Sequence, residues 1–245
     1  MITKMKTQQF DRVNDAEWRK ATVESLRGLP FEKLITKTLE GIDIQPLYTK
    51  EQVDRELGDR QDELLKVIRA GKKSGDWTVA QRTYTTDGTE FVTQVKESLE
   101  KGNEAIVYDG SLRVQWNESA LTELAQLAIR YPLYAFNVKE EDLFTTLYEK
   151  INQEDRNKVR GTFIGEVPLP EGFRLVRTVA ADTLDAHLKG ADAVTELALS
   201  LAQASEQATR FRSFTQFENQ FFVRFAIDTH FFIEIAKLRA FRLLW

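Results

Sequence analysis

Cysteine is absent from this chain of 245 residues, and histidine occurs only twice, as His187 and His230. Without cysteine the protein has no disulfide bond, no thiolate nucleophile and no cysteine-ligated metal. Two histidines are too few for a multi-histidine metal centre. The lack of cysteine also fits a reducing compartment, so the composition predicts a cytoplasmic protein without a metal site.

Long apolar runs and an excess of positive charge are missing as well. No stretch approaches the roughly 20 apolar residues that span a bilayer, and no apolar run follows the first residues as it does in a signal peptide. The formal net charge of −4 and the pI near 5.5 give no attraction to nucleic acid or to anionic membranes. We therefore expect a soluble protein with neither a nucleic-acid nor a membrane partner.

The chain does contain enough apolar material for a full-sized core, because 42% of its residues are hydrophobic. The clearest segment is 221–245, whose nearly continuous apolar start predicts a parallel strand covered on both faces. From Phe231 onward apolar residues recur every three or four positions, with Glu234, Lys237 and Arg242 between them, which predicts an amphipathic helix. A strand followed directly by a helix is half of a βαβ unit.

The same alternation runs back through most of the chain. Strands are predicted at residues 77–84, 104–109, 133–138, 159–164, 173–181 and 221–227, and a lead-in helix at 52–70. Only residues 165–172 separate the fourth strand from the fifth, which is too short for a helical crossover. Strands alternating with helices indicate a parallel α/β fold, and no glycine-rich phosphate loop follows the first strand as a dinucleotide-binding fold requires.

The preferred fold is therefore a (β/α)8 TIM barrel. About six β/α units are predicted where eight close a barrel, so the barrel is expected to be incomplete or truncated. Residues 1–50 are predicted to form an N-terminal helical segment and an extended arm that contacts another subunit, and residues 51–245 a partial TIM-barrel domain. An open parallel sheet exposes its edges, so we expect an oligomer.

Four stretches carry a resemblance to a known family. The arm holds Thr38, Glu40, Gly41, Ile42, Ile44, Pro46, Leu47, Tyr48 and Thr49 in the pattern Thr-x-Glu-Gly-Ile-x-Ile-x-Pro-Leu-Tyr-Thr. Trp77, Thr78 and Gln81 form a Trp-Thr-x-x-Gln pattern, and the words GADAVTELALSLA (190–202) and EIAKLRA (within 221–245) follow. These words resemble the methylmalonyl-CoA mutase family, coenzyme B12-dependent acyl-CoA mutases built on a TIM barrel. The likeness is to the N-terminal barrel portion, most of all that of the small (beta) subunit.

The resemblance makes His187 and Asp185 the candidate catalytic residues. Asp185, His187 and Gly190 fit the Asp-x-His-x-x-Gly pattern by which B12-dependent mutases present a histidine to cobalt, but the Ser-x-Leu and Gly-Gly elements that follow it in the family do not appear before Trp245. Catalytic mutase barrels also carry a Tyr-His-x-x-x-x-Gly element, in which an ungapped count from Gly190 places Asp185 at the histidine and His187 two residues away. The plainer interpretation of His187 is a solvated loop residue.

Two positions depart from the catalytic members of the family. They carry a tyrosine five residues before the Trp-Thr pattern, where this chain has Lys72, and a glutamine in Gly-Thr-x-Gln, where it has Ile164. The arginine that binds the substrate carboxylate in the family falls in the crossover that is missing at 165–172. By resemblance, these losses imply a chain that is not itself catalytic.

Four further residues are candidates for contact with an acyl-CoA. Gln81 belongs to the Trp-Thr-x-x-Gln pattern, while Arg177 and Arg224 lie on the last two predicted strands and His230 follows the last one. Barrel active sites form at the carboxyl ends of strands. Each of these residues has a plainer interpretation as a solvated, capping or interface side chain.

The resemblance implies one leading function and two alternatives. The leading hypothesis is a non-catalytic small subunit that binds no cofactor itself and forms a heterodimer with a homologous catalytic large subunit, in which adenosylcobalamin serves the interconversion of methylmalonyl-CoA and succinyl-CoA. The first alternative is a catalytic acyl-CoA mutase barrel in its own right. The second is an acyl-CoA-binding or chaperone-like paralogue, and self-association remains open for all three.

Overall fold

The computed structural model describes residues 13–70, 75–139, 143–166 and 169–245, so Lys72 lies outside the described residues. The α-helices are α1 (Asp15–Ser25), α2 (Lys50–Glu56), α3 (Arg60–Arg69), α4 (Gly88–Glu100), α5 (Glu118–Arg130), α6 (Leu143–Lys150), α7 (Gln153–Arg156), α8 (Leu184–Leu188), α9 (Ala193–Ala208), α10 (Phe214–Gln220) and α11 (Phe231–Leu244). The strands are β1 (Thr36–Lys37), β2 (Asp43–Ile44), β3 (Ile106–Asp109), β4 (Leu133–Val138), β5 (Arg160–Gly165), β6 (Leu175–Arg177), β7 (Val179–Asp182) and β8 (Phe221–Arg224). Short 3₁₀ helices occupy Phe31–Leu34 and Gly110–Leu112.

The chain divides into two compact units. The first contains the described residues up to Ala70 together with Leu238–Leu244, and the second contains those from Gly75 to Lys237 together with Trp245. The domain boundary predicted near residue 50 stays a prediction. None of the helices in the described ranges is both long and apolar enough to cross a membrane.

The first unit starts with a well-capped helix. Asn14 accepts a hydrogen bond from the backbone N–H of Glu17, and the Glu17 carboxylate accepts one from the backbone N–H of Asn14. This reciprocal capping box satisfies two N–H groups that the start of α1 leaves without a partner in the helix. The rings of Trp18 and Phe31 then meet edge to face, with centroids 6.1 Å apart, and join α1 to the first 3₁₀ helix.

The segment predicted as an extended arm partly folds back on itself. Strand β1 pairs antiparallel with β2, with Thr36 opposite Ile44. Gly41 turns the chain between them at a φ of +76°, in the left-handed region that glycine adopts without strain. The single lead-in helix predicted over 52–70 is instead two helices, α2 and α3, because Gly58 between them takes a φ of +49°.

The second unit is built on a four-stranded parallel sheet in the order β3-β4-β5-β6. Strand β4 occupies the predicted residues 133–138, so this assignment is confirmed. One core cluster packs these helices on the sheet and includes Phe91, Val95, Ile106, Leu124, Leu133, Leu147, Val159 and Val176. The two faces of β4 differ, since Leu133 and Ala135 are buried against the helices while Tyr134 and Phe136 are only half-buried.

Gly161 allows β5 to approach β4 unusually closely. A Cβ atom at Gly161 would lie 1.9 Å from the carbonyl oxygen of Leu133, and the residue has a φ of +144°. Only glycine fits such a contact. Gly161 is therefore the residue that makes the close pairing of β4 and β5 possible.

Two predicted strands differ from those observed. The fifth, at 173–181, is broken at Thr178 into β6 and β7, and β7 pairs with β8 in a separate two-stranded parallel sheet. The first, at 77–84, contributes only an isolated bridge between Arg82 and Val107. The described residues thus form a mixed α/β structure with parallel strands and no closed barrel, and the TIM barrel stays a prediction.

Helix α11 has the opposite orientation to the one predicted. Its Glu234 and Lys237 are 7% and 2% exposed, whereas Phe231 and Phe232 are 66% and 81% exposed. Apolar spacing indicates a buried face only when no polar side chain finds a buried partner. Here Glu234 and Lys237 do find such partners.

Candidate functional site

The carboxyl ends of β7 and β8 lie side by side. The strands run parallel with Asp182 opposite Arg224, so the residues that follow, Thr183 and Phe225, enter the same region. Helix α8 starts directly after β7. In open parallel sheets ligands bind beyond the carboxyl ends of the strands, which makes this edge the natural place to look for a site.

A buried lysine is the centre of this region. The Lys237 Nζ lies 2.6 Å from Oε2 of Glu234 and 3.4 Å from both carboxylate oxygens of Glu196, and it donates a hydrogen bond of 2.9 Å to the carbonyl of Ala226. Glu196 is only 1% exposed. Charged groups are tolerated at this depth only when they are paired and hydrogen-bonded, and these three groups pair with one another.

His187 extends this group towards the surface. Its Nδ1 lies 2.9 Å from Oε1 of Glu196, and its side chain is 23% exposed. The hydroxyl of Thr183 lies 3.3 Å from the other Glu196 oxygen. We call His187, Glu196, Glu234 and Lys237 the ion cluster. It joins α8, α9 and α11 through one carboxylate.

A second ion pair holds the two strand ends together. The Arg224 Nε donates to Oδ1 of Asp182 over 3.0 Å, and the guanidinium lies 4.8 Å from the centroid of the Phe136 ring. The backbone N–H of Asp182 donates to the side-chain oxygen of Gln203. Arg224, a candidate substrate contact, is therefore engaged in holding β8 to β7.

The loop between β8 and α11 carries Asp228 and His230, both exposed. Hydrogen bonds from the backbone N–H and the hydroxyl of Thr229 lower the pKa of the Asp228 carboxyl below its ordinary value, and the imidazoles of His230 and His187 act in the same direction. The candidate His230 thus lies on the rim of the region that contains His187.

The opposite, amino ends of the strands border an open groove of about 1260 Å³. Its lining includes Tyr134, Thr162, Phe211 and Phe222 together with the guanidinium groups of Arg160, Arg174 and Arg177. The Arg177 Nη1 donates to the carbonyl of Phe221 over 3.3 Å. The groove therefore combines aromatic walls with a local excess of positive charge.

The candidate residues from the sequence are distributed over three places. His187, Arg224 and His230 lie at or beyond the carboxyl ends of β7 and β8, and Arg177, the last residue of β6, lines the groove. Gln81 is exposed, and its backbone N–H donates to Asn103 over 2.9 Å, beside a separate cavity of about 340 Å³. Asp185 is exposed two residues before His187, and the carboxylate that bonds to His187 is that of Glu196.

Glu196 and Lys237 are the residues that sequence reasoning missed. Both stand within apolar helical words, and Glu196 is the one charged residue between Asp192 and Glu206. A lone charge within an apolar helix face is a signal that a partner is required. The partner, 41 positions further along the chain, was not evident from local spacing.

The described residues contain no group of three or more histidine, aspartate or glutamate side chains placed to hold a metal ion. The ion cluster has its own cation in Lys237. Its geometry is suited to fixing side chains and to presenting one imidazole, and it offers no further carboxylate to a ligand.

Comparison with known proteins gives one consistent family. A family model described as methylmalonyl-CoA mutase matches residues 171–245. Two similar proteins are each named methylmalonyl-CoA mutase small subunit: one from Porphyromonas gingivalis, 23% identical, and one from Streptomyces virginiae, 28% identical. Each match covers 97% of this chain and 44% of the relative, so the chain spans less than half the length of these proteins.

Proposed function

We propose, from its similarity to methylmalonyl-CoA mutase proteins, that the chain is a non-catalytic small subunit. It pairs with a homologous catalytic large subunit, which carries adenosylcobalamin and interconverts methylmalonyl-CoA and succinyl-CoA. The observation that carries the proposal is the similarity to two proteins named as small subunits along 97% of the chain. In this proposal the parallel sheets of the second unit are part of a TIM-barrel-like domain.

The arrangement around His187 supports a chain that does not ligate cobalt. In the Asp-x-His-x-x-Gly pattern a carboxylate orients the histidine, but Asp185 is exposed while His187 is bonded to the buried Glu196. At the position of the expected glutamine, Ile164 offers no amide to a thioester. The residues present do not fit a cobalamin site.

The first unit supports a role in subunit contact. Its hairpin exposes Leu39, which is 92% accessible, together with Ile42 and Tyr48. Exposed apolar side chains close together in the structure mark surfaces that another protein covers. We propose that the hairpin and the residues that follow it contact the large subunit.

Light scattering of the purified chain mixed with a large subunit tests this pairing. The proposal predicts a 1:1 complex, and Leu39→Asp in the hairpin is expected to weaken it at least about tenfold, which corresponds to 1.4 kcal/mol. Leu188→Asp, at an exposed leucine of the second unit, is the matched control and is expected to leave the complex intact. Two species that never associate would contradict the proposal.

The groove favours a second candidate, an acyl-CoA-binding paralogue. Arginine guanidinium groups bind phosphate oxygens in paired hydrogen bonds, and the phosphates of CoA would supply them. Calorimetric titration with succinyl-CoA separates this candidate from a purely structural subunit. Saturable binding that is lost in Arg177→Gln would favour it, and no heat of binding would leave the structural role.

The remaining candidate is a catalytic acyl-CoA mutase barrel in its own right, with His187 shifted into the active site. It requires that the chain alone, supplied with adenosylcobalamin, turns over methylmalonyl-CoA and that His187→Ala abolishes the turnover. Neither result is expected from a structural subunit.

A further inference from the structure

The depth of Glu196 decides what its neighbours do. A carboxylate that is 1% exposed is stable only if a cation compensates it, and Lys237 Nζ lies 3.4 Å from both of its oxygens. The distances are equal, as in an ion pair centred on the carboxylate. Glu196 is therefore held in place as an acceptor group.

Lys237 is itself fixed and has no freedom to leave Glu196. Its ammonium group contacts Glu234 at 2.6 Å and donates to the Ala226 carbonyl at 2.9 Å, and its side chain is buried. The ammonium group thus forms ion pairs with two carboxylates and donates hydrogen bonds to Glu196 and to the Ala226 carbonyl. The Glu196 oxygens thus have a fixed position from which to meet α8.

The contact with His187 sets the state of the imidazole. A carboxylate has only acceptor atoms, so a hydrogen bond of 2.9 Å from ring to carboxylate needs the proton on Nδ1. In the neutral ring the other nitrogen, Nε2, then carries a lone pair. The side chain is 23% exposed. Asp228, whose pKa His187 helps to lower, lies on the loop after β8.

We propose that Glu196, supported by Lys237, is a positioning residue that holds His187 as the Nδ1–H tautomer and presents Nε2 as a hydrogen-bond acceptor at the carboxyl ends of β7 and β8. A ligand that complements this Nε2 has a hydrogen-bond donor, such as a hydroxyl group. The inference concerns the chain's own residues, so it does not depend on whether the chain acts as a structural subunit.

The tautomer is measurable because the chain has only two histidines. Long-range ¹H–¹⁵N correlation spectra of protein labelled with ¹⁵N-histidine, in mildly alkaline buffer, report which ring nitrogen carries the proton. We expect His187 to show the Nδ1–H pattern and the exposed His230 to show mainly the Nε2–H pattern common in solution. His187→Asn assigns the signals by removing one set.

Two variants separate positioning from structural support. Glu196→Gln is expected to abolish the Nδ1–H preference of His187, because an amide can donate as well as accept. Glu234→Gln disturbs the same ion cluster without touching His187 and is expected to leave the tautomer unchanged.

The proposal is overturned if His187 shows the same tautomer pattern as His230, or a doubly protonated ring, in the unsubstituted protein. It is overturned as well if Glu196→Gln folds and keeps the Nδ1–H form. If Glu196→Gln does not fold, the comparison of the two histidines in the unsubstituted protein still decides the outcome.

Discussion

The two ends of the parallel strands in the second unit contain charges of the same kind in opposite surroundings. At the carboxyl ends, Lys237 is buried and compensated by Glu196 and Glu234. Around the groove that the amino ends border, Arg160, Arg174 and Arg177 are exposed, and none forms an ion pair with any described residue. Buried charges that satisfy one another fix a structure, while exposed charges without partners remain able to bind a ligand.

The difference also explains why the fold places polar groups where the sequence suggested apolar ones. The side of α11 that carries Lys237 is buried, and Phe231 and Phe232 are exposed. The free energy of the ion cluster depends most on Lys237, because its removal leaves Glu196 and Glu234 buried without a cation. The arginines of the groove differ, because they are exposed and the removal of one leaves no buried charge without a partner.

Lys237→Met is expected to lower the free energy of unfolding more than any other substitution considered for these two regions. It leaves Glu196 and Glu234 buried without a cation, and removal of one member of a buried ion pair costs about 3–5 kcal/mol. Urea denaturation measures the loss in the free energy of unfolding. Lys189→Met, at an exposed lysine just after α8, is the control and is expected to change it by less than about 0.5 kcal/mol. Equal effects at the two positions would remove the distinction between a buried and a solvated charge.

Gly161→Ala is expected to disturb the packing of β5 against β4. The added Cβ would meet the Leu133 carbonyl at 1.9 Å, so β5 must move away from β4, and overpacking of this kind costs about 1–3 kcal/mol. Gly190→Ala is the matched control, because Gly190 also has a positive φ, +92°, but nothing lies within 4 Å of its added Cβ. Thermal unfolding should show the larger loss at Gly161, and the reverse order would contradict the close approach of the two strands.

Asp109 gives the carboxyl end of β3 a dependence on pH. Burial opposes its ionisation, but hydrogen bonds from Ser111 and Asn137 and the charge of Arg82 outweigh burial and lower the pKa of the carboxyl below its ordinary value of 3.8. A lowered pKa in the folded state means that this stabilisation is present above the ordinary pKa and is lost as the pH falls through the folded value. Acid unfolding of Asp109→Asn should lack this component, and identical acid profiles for both proteins would contradict the assignment.

Arg177→Gln should have the smallest effect on stability, in contrast to the substitution of the buried Lys237. Its side chain is exposed and makes one hydrogen bond of 3.3 Å, so the free energy of unfolding should change by less than about 0.5 kcal/mol. If the groove binds an acyl-CoA, the same substitution lowers that affinity, because one charged donor to phosphate is lost. A large loss of stability would show that Arg177 is structural, as Lys237 is.

Local pattern was sufficient where neighbours in sequence decide the structure. Strand β4 coincides with the predicted residues 133–138. The pattern failed at Thr178, because the run 173–181 carries no local sign that its two halves join different sheets.

The candidate site was predicted only in part, for a related reason. Local words drew attention to His187 and Asp185, but the carboxylate that meets His187 comes from α9, and the cation that holds that carboxylate comes from α11. These pairings join residues far apart in the sequence, and one chain alone gives no spacing rule for them. The resemblance directed attention to His187 and Asp185 but gave no indication of Glu196 and Lys237.

The central claim, that this chain is a non-catalytic partner, is tested most directly by the conversion of methylmalonyl-CoA in the presence of adenosylcobalamin. The rate is measured for the chain alone, for a large subunit alone and for their mixture. If the chain is a non-catalytic partner, we expect no turnover by the chain alone and full turnover by the mixture. The turnover of the mixture should be the same when the His187→Ala variant replaces the unsubstituted chain. Turnover by the chain alone that His187→Ala abolishes would contradict it.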